Sequence, residues 1–459
     1  MSGSSSVRGS IARSVRSLGR EFGLLWTGQS VSNVGDRVTL FVVPTLMIFV
    51  LKSSPFEIGL VSMAQYLAIP ILSLLAGVLV DRWDLRRLLI ACDLIRLVVI
   101  AAIPVAYWYG YLSVPLLFVC VVLVSAATVF FNIAYLPAMV AIVEPADLVR
   151  ANSRLETSRT VAEVGGPSVA AGLYQLFGVA ALLVDAATYL FSAACFRVMQ
   201  PCGGRTSRDE RVWSRLKLGI RQNWDDPVLR RATAGTLGAN IGGPIFVTLL
   251  PVLAYRGLHL SVGVFGVVMS AAAAGGVVGA LVAPKVSRRM GAGRMQAWSI
   301  FLHSACGLGI LAAPAFPPAI VLAITLAFYG AFMTWYNVCS QSVRQVRMAV
   351  KDQAVIYAAY RTVTWGVIPI SAFVGGWAVT LLTPHFAVLD AAKIVMVGGT
   401  VIGMFAYLPL SGLQRLLDGA ALDQAAVGEL PDPPIEPVVA FSPPVDAPPT
   451  AELPTSSTR

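Results

Sequence analysis

Residues 77–87 read Gly-Val-Leu-Val-Asp-Arg-Trp-Asp-Leu-Arg-Arg, and residues 279–289 read Gly-Ala-Leu-Val-Ala-Pro-Lys-Val-Ser-Arg-Arg. In both, a glycine is followed nine and ten positions later by an arginine pair, and the offset between them is 202 residues. Arg159-Thr160-Val161 returns at the same offset as Arg361-Thr362-Val363, and Pro167 returns as Pro369. Independent anchors sharing one offset mark a chain made of two related halves. Duplicated halves meeting at a central cavity are the usual build of secondary transporters, with the site near the bilayer midplane.

Working outward from these stretches, the flanking sequence is apolar. Of 459 residues, 56% are hydrophobic and 13% charged, and the mean hydropathy is +0.74. So few charges cannot cover a water-facing surface, since a soluble chain carries about 25% charged residues. The composition excludes a soluble enzyme, a nucleic-acid-binding domain and a disordered chain. A spanning helix needs about 20 mostly apolar residues. Twelve such runs are present: 22–50, 58–80, 88–108, 114–141, 159–176, 178–198, 232–254, 261–283, 294–313, 318–340, 355–382 and 387–410. The fifth is the weakest, interrupted by Glu163 and Pro167. The expected fold is an all-α membrane protein, with twelve transmembrane helices in two pseudo-symmetric six-helix bundles around a central cavity. The expected divisions are a basic N-terminus (1–21), a first bundle (22–198), a linker (199–231), a second bundle (232–410) and a Pro-rich, disordered tail (411–459). The Ser/Arg-rich start leads straight into the first span and is read as uncleaved.

Positive charge sets the expected orientation, because Lys and Arg gather in cytoplasmic loops. With the N-terminus inside, the inner segments collect groups such as Arg82, Arg86 and Arg87, then Arg288, Arg289 and Arg294, then Arg344, Arg347 and Lys351. Of 34 Lys and Arg, only Lys52, Arg256 and Lys393 fall in outer loops, and Arg37, Arg96 and Arg361 stay within spans. Both termini are therefore expected in the cytoplasm of a cell (inner) membrane. In the linker, Trp213, Leu216, Ile220 and Trp224 recur at helical spacing among Arg, Lys and Gln, which predicts an amphipathic helix at the membrane interface.

Gly77-x-x-x-Asp81-Arg82-x-x-x-Arg86-Arg87 resembles the signature loop of the major facilitator superfamily, and Gly166-Pro167 with Gly172 resembles the Gly-Pro motif of its antiporters. Further stretches are similar to its drug/proton antiporter branch, which holds macrolide efflux proteins and the enterobactin exporter. These are Val34-Gly35-Asp36, Asp93-Leu94-Ile95-Arg96, Leu136-Pro137-Ala138 with Ala151-Asn152-Ser153, and Asp185-Ala186-Ala187-Thr188. The resemblance covers about residues 20–410 and implies alternating access driven by protons. The second half departs from the signature, since Ala283-Pro284 stands where Asp81-Arg82 stands in the first. A gate carried by that pair is expected in the first half only.

An ionisable side chain inside a span is costly and faces a cavity or a partner. Asp36 lies about 14 residues into the first span, roughly 21 Å along a helix, so near the midplane. Gln29, Asn33 and Asp36 share one helical face, and Arg37 widens the polar wedge. Two readings stand for Asp36: a proton acceptor or counter-charge for a cationic substrate, or a fixed ion pair. Glu163 has two readings as well, a helix pair with Arg159 or a proton relay. Asp185 either caps the cavity or packs. Asp93 and Arg96, with Asp81, Arg86 and Arg87 nearby, are expected to form a charge network that holds the halves together on the inside in the outward-facing state, a gate whose pairs exist in one of two conformations. Arg361 serves the same gate or binds anionic groups of a substrate. Phe328, Phe332 and Trp335 share a face of the tenth span, as core or as an aromatic cavity wall.

None of the lysines, Lys52, Lys217, Lys285, Lys351 and Lys393, follows a glycine, so the chain carries no Gly-Lys-Ser/Thr phosphate loop and is not expected to use ATP. The six cysteines make no C-x-x-C pair, and neither a disulfide framework nor a metal site is expected. No cofactor and no nucleic-acid partner are implied. The expected partners are a small molecule, protons and the lipid bilayer. The function these features imply is export of a hydrophobic or amphiphilic compound by proton antiport. The alternatives are siderophore or lysophospholipid transport, and more remotely a non-transporting membrane enzyme or sensor. Such an enzyme would need a motif such as H-E-x-x-H or G-x-S-x-G, and the sequence holds neither.

Overall fold

Helix follows helix because each apolar run is long enough to cross lipid, where only a closed set of backbone hydrogen bonds is tolerated. The computed structural model describes residues 18–80, 83–144, 147–200, 212–312, 315–347 and 353–418. The first half holds α1 (Arg20–Phe49), α2 (Pro55–Val80), α3 (Leu85–Trp108), α4 (Val114–Ile142), α5 (Leu148–Phe177) and α6 (Leu182–Val198). Among the described residues of the linker lies one helix, α7 (Val212–Asp225). The second half holds α8 (Pro227–Val252), α9 (Val262–Met290), α10 (Ala292–Cys306), α11 (Pro318–Arg347), α12 (Gln353–Leu382) and α13 (Val388–Phe405), followed by the short α14 (Tyr407–Leu410). Among the described residues the regular elements are all helical. The twelve-span reading thus matches six long helices in each half.

Helix starts follow local chemistry. Asp226 accepts from the Val228 and Leu229 amides at 2.7 and 3.0 Å, with Pro227 placed where no amide is needed. Asp84 caps α3 through the Arg87 amide at 2.8 Å. The fifth helix starts at Leu148 rather than near residue 159. Its first three turns carry Arg150, Asn152, Arg154 and Glu156, too polar for lipid, but Arg and Glu are sound helix formers, so the helix extends beyond the apolar stretch. Arg344 also departs from expectation. It is no loop residue: it lies in α11, 3% exposed, with its guanidinium 3.4 Å over the Tyr360 ring. Asp81, Arg82, the first 17 residues and the tail from residue 419 lie outside the described residues, and of Gly77 only its place in α2 is described.

Among the described residues the contacts that join the two halves gather toward one end. Alternating helices bring arginine-bearing ends such as those of α3, α5, α6 and α9 to one face, here the basic end. At the opposite end a continuous apolar core draws on both halves, including Leu46, Met47 and Ile48 of α1 with Leu249, Leu250 and Val252 of α8. Polar bonds close it further: Thr45 and Tyr255 share a hydrogen bond of 3.1 Å, and Arg256 donates to the Ser53 carbonyl at 2.7 Å. Two helix pairs carry the seam. Gly59 of α2 and Gly376 of α12 pass so closely that a methyl on either would strike the other's backbone. Ser168 of α5 bonds Ser270 of α9 at 2.8 Å. At the basic end each half keeps a core of its own: Phe22, Leu89, Phe131 and Phe196 in the first, Ile300, Tyr336, Leu410 and Leu413 in the second.

Candidate functional site

Between the halves lies a cavity of about 770 Å³. This volume falls in the range that takes drug-sized compounds. Helices α1, α2, α3, α4 and α6 of the first half line most of it, and α12 closes the other side with Tyr357, Arg361, Thr362 and Trp365. Aliphatic side chains such as Leu40, Val43, Ile100 and Val129 alternate with polar ones. The polar groups of the first half are Asp36, Arg37 and Thr39 of α1, Gln65 and Tyr66 of α2, Ser125, Thr128 and Asn132 of α4 and Tyr189 of α6.

Asp36 and Arg37 are neighbours with different partners. The Tyr189 hydroxyl donates to Asp36 Oδ1 at 2.6 Å. Arg37 turns instead to α5 and donates to Glu163 Oε1 at 2.8 Å. Among the described residues no ion pair forms on Asp36. Glu163 also takes a weaker bond from Arg159 at 3.3 Å, so it joins α1 to α5 as well as pairing along its own helix. Gly166 makes the first contact possible. A Cβ there would stand 2.5 Å from Arg37 Cβ, so only glycine lets the arginine pass along α5. Pro167, next in line, has no N–H to offer the Glu163 carbonyl one turn back. Gly172 faces open space.

Asp185 does not reach the cavity. It is fully buried in the α1–α6 seam, bonded to the Thr39 hydroxyl and to Thr188 at 3.2 Å. Gly35 opposite supplies the room, since a methyl there would overlap both Thr188 and Asp185. Asn33 accepts from Gln29 at 3.1 Å and stays outside the cavity wall, so the polar wedge expected on α1 divides into a packed pair and a lone acid.

In this arrangement Asp93 and Arg96 do not reach across to the second half. They pair with each other, both buried, and the Arg96 guanidinium lies between the rings of Phe131 and Tyr189 at 4.2 and 4.6 Å. All four belong to the first half. Arg86 likewise stays at home, donating to the Phe196 and Arg197 carbonyls at the end of α6. Unsatisfied carbonyls at a helix end attract a cation, which is what draws it there. Arg87 is exposed, and no ion pair forms on it among the described residues.

The span-ten aromatics do not wall this cavity. Trp335 donates to the Gly279 carbonyl at 2.8 Å and Phe332 packs edge-on against it. The α9–α11 contact is made of glycine and alanine, Gly275 and Gly279 against Ala327 and Ala331, so the backbones come close enough to hold the indole. The cavity aromatics are instead Tyr66, Tyr189, Tyr357 and Trp365. Sequence reading missed them. For Trp365 a signal existed, because it stands 202 residues after Glu163, the repeat offset.

Two sealed-together helical halves around a polar-spotted apolar cavity define a multi-pass membrane transporter. The chain belongs to the Major Facilitator Superfamily, whose sequence model matches residues 25–372. It is similar to the Multidrug efflux pump Tap of Mycobacterium tuberculosis, at 26% identity over 328 residues, covering 67% of this chain and 76% of that protein. It is also similar to a Staphyloferrin A transporter of Staphylococcus aureus, at 23% identity over 328 residues, covering 68% of this chain and 76% of that protein. Among solved structures, the nucleoside transporter NupG (D323A mutant) superposes with a TM-score of 0.70 at 15% identity, covering 85% of this chain and 100% of the other. A bacterial homologue of the human lysosomal transporter Spinster gives 0.64 at 14% identity, covering 86% and 96%. At these identities the structures speak for the fold alone.

Proposed function

We propose that this transporter exports amphiphilic compounds across the cell membrane in exchange for protons, by alternating access of the cavity. One observation carries the reading. Asp36 lines a cavity bounded by both halves, and among the described residues its hydrogen-bond partner is a tyrosine hydroxyl, while the neighbouring arginine is engaged elsewhere. A carboxylate so placed can exchange its charge: it takes a proton, or it faces the basic group of a cargo, and the two compete. Arg37 is kept from neutralising it by Glu163 and by the space at Gly166.

Orientation follows from charge. The basic end faces the cytoplasm under the positive-inside rule, so the cavity described here belongs to the state in which the halves part on the inside. Cargo enters there and binds against ionised Asp36. Rocking of the halves breaks the Thr45–Tyr255 and Arg256–Ser53 contacts and opens the far side. Protonation of Asp36 from outside then weakens the cargo's hold and releases it. Deprotonation toward the cytoplasm resets the cycle. Kinship to a multidrug efflux pump supports this reading. Transport of a siderophore is the second reading, favoured by the kinship to a Staphyloferrin A transporter.

Dansylcadaverine, a fluorescent amphiphilic amine, provides the test. Everted vesicles containing the wild-type protein should accumulate it in an uncoupler-sensitive way. Asp36→Asn should abolish that accumulation while leaving the protein in the membrane at wild-type amount. Full uncoupler-sensitive accumulation by the variant removes Asp36 from the coupling, and none by the wild type removes the export reading.

A further inference from the structure

The repeat of 202 residues sets two arginines in equivalent places with unlike surroundings. In the first half Arg159 is flanked by acids one turn to either side. It grips Glu156 through two nitrogens at 2.6 and 3.0 Å and reaches Glu163 at 3.3 Å. In the second half Arg361 keeps the charge, but the positions of the two acids hold Ala358 and Trp365. Both partners have been replaced, one by a methyl group and the other by an aromatic ring.

The structure shows where the freed arginine goes. Arg361 is exposed on the cavity wall, with its guanidinium carbon 4.3 Å over the Trp365 ring. Among the described residues it has no anionic partner. Arg37, the other arginine of this wall, is held by Glu163. A stacked guanidinium keeps its in-plane N–H donors free, because the ring occupies only its face. A cation left without a counter-charge in a largely apolar wall is unfavourable until an anion arrives.

We propose that Arg361 selects cargo bearing a carboxylate-type anion, so that the compounds this cavity favours are amphiphiles with that group beside an apolar or aromatic body. The proposal deepens the export reading and rests on it. A planar carboxylate meets the guanidinium fork through two parallel bonds, which fixes orientation as well as affinity. Trp365 and Tyr357 offer ring surface to the attached body. Asp36 stands across the cavity on the first half, so a zwitterion with a basic amine at its other end engages both halves at once.

The test compares two fluorescent ligands that differ only by a carboxylate, Nε-dansyl-lysine and dansylcadaverine, each titrated against purified full-length protein in lipid nanodiscs. Wild type should bind the carboxylated ligand about tenfold more tightly, the size of one charge-assisted hydrogen bond. Arg361→Gln should bring that ratio near unity, and Arg361→Lys should leave it between the two. The ratio is read within each variant, so loss of folded protein does not mimic the effect. Equal binding by wild type, or a preference that survives Arg361→Gln, overturns the proposal. Should Arg361→Gln bind neither ligand, Arg361→Lys decides: a reduced ratio upholds it, an unchanged ratio or no binding overturns it. Failure here leaves uncoupler-sensitive accumulation of dansylcadaverine untouched, whereas failure of the export reading removes that accumulation itself.

Discussion

Gly166 shows how one missing methyl sets the charge pattern of the site. Arg37 and Glu163 pair at 2.8 Å because Arg37 runs along α5 where Gly166 leaves room, and that pairing keeps Arg37 from Asp36. Gly166→Ala puts a carbon 2.5 Å from Arg37 Cβ and 2.7 Å from its Cγ, near the root of the side chain where little can swing aside. Overpacking of this kind costs about 1–3 kcal/mol. The substitution should lower the thermal midpoint of the purified protein and cut dansylcadaverine accumulation several-fold. Gly172→Ala, with nothing within 4 Å of the added carbon, should do neither. Equal behaviour of the two variants would refute this role for Gly166. Sequence alone placed Asp36, Arg37 and Glu163 inside spans, since a charge in an apolar run stands out by itself. It could not say which acid Arg37 would choose, because that depends on how α1 rolls against α5. The same limit explains Asp93 and Arg96: their spacing showed that they could pair, but not that Phe131 and Tyr189 would enclose the arginine within one half.

At the scale of helices, the boundaries were largely legible because bilayer thickness sets the length of each apolar run. The exceptions are α5, whose polar opening turns at Arg150 to Glu156 carry no hydropathy signal, and α11, which runs on past its apolar stretch to Arg347. Pairing between helices was much less legible. Nothing in the aromatic face of α11 tells that Trp335 reaches the α9 backbone instead of the cavity. The seam between halves runs through α2 with α12 and α5 with α9, and these contacts must part if the far side is to open. Ser168 and Ser270 lie in that seam with their oxygens 2.8 Å apart. Cysteines at both positions, in a chain otherwise free of cysteine, should form a disulfide under mild oxidation. Oxidation should then stop dansylcadaverine accumulation and a reductant should restore it. Undiminished transport by the fully cross-linked protein would mean that α5 and α9 do not separate during the cycle.

For the whole molecule, duplication explains both the symmetry of the frame and the asymmetry of the site. The two bundles share helix count and anchor residues, yet the cavity takes its acid from α1 and its free cation from α12, positions that do not correspond by the repeat. Position 238, the repeat counterpart of Asp36, is a glycine. In the proposed cycle the symmetric frame supplies the rocking motion, and divergence of a few side chains supplies the chemistry. The repeat offset was visible in sequence from the first pair of arginine stretches. The site it frames became visible only when the halves were set against each other. In the proposed cycle a proton and cargo compete for Asp36, and release of protons on binding measures that competition without any membrane gradient. Purified protein in weakly buffered solution with a pH indicator, titrated with dansylcadaverine at a series of pH values, should release protons as the ligand binds. Asp36→Asn should release none. Binding without proton release by the wild type, or equal release by the variant, would contradict proton coupling at this residue.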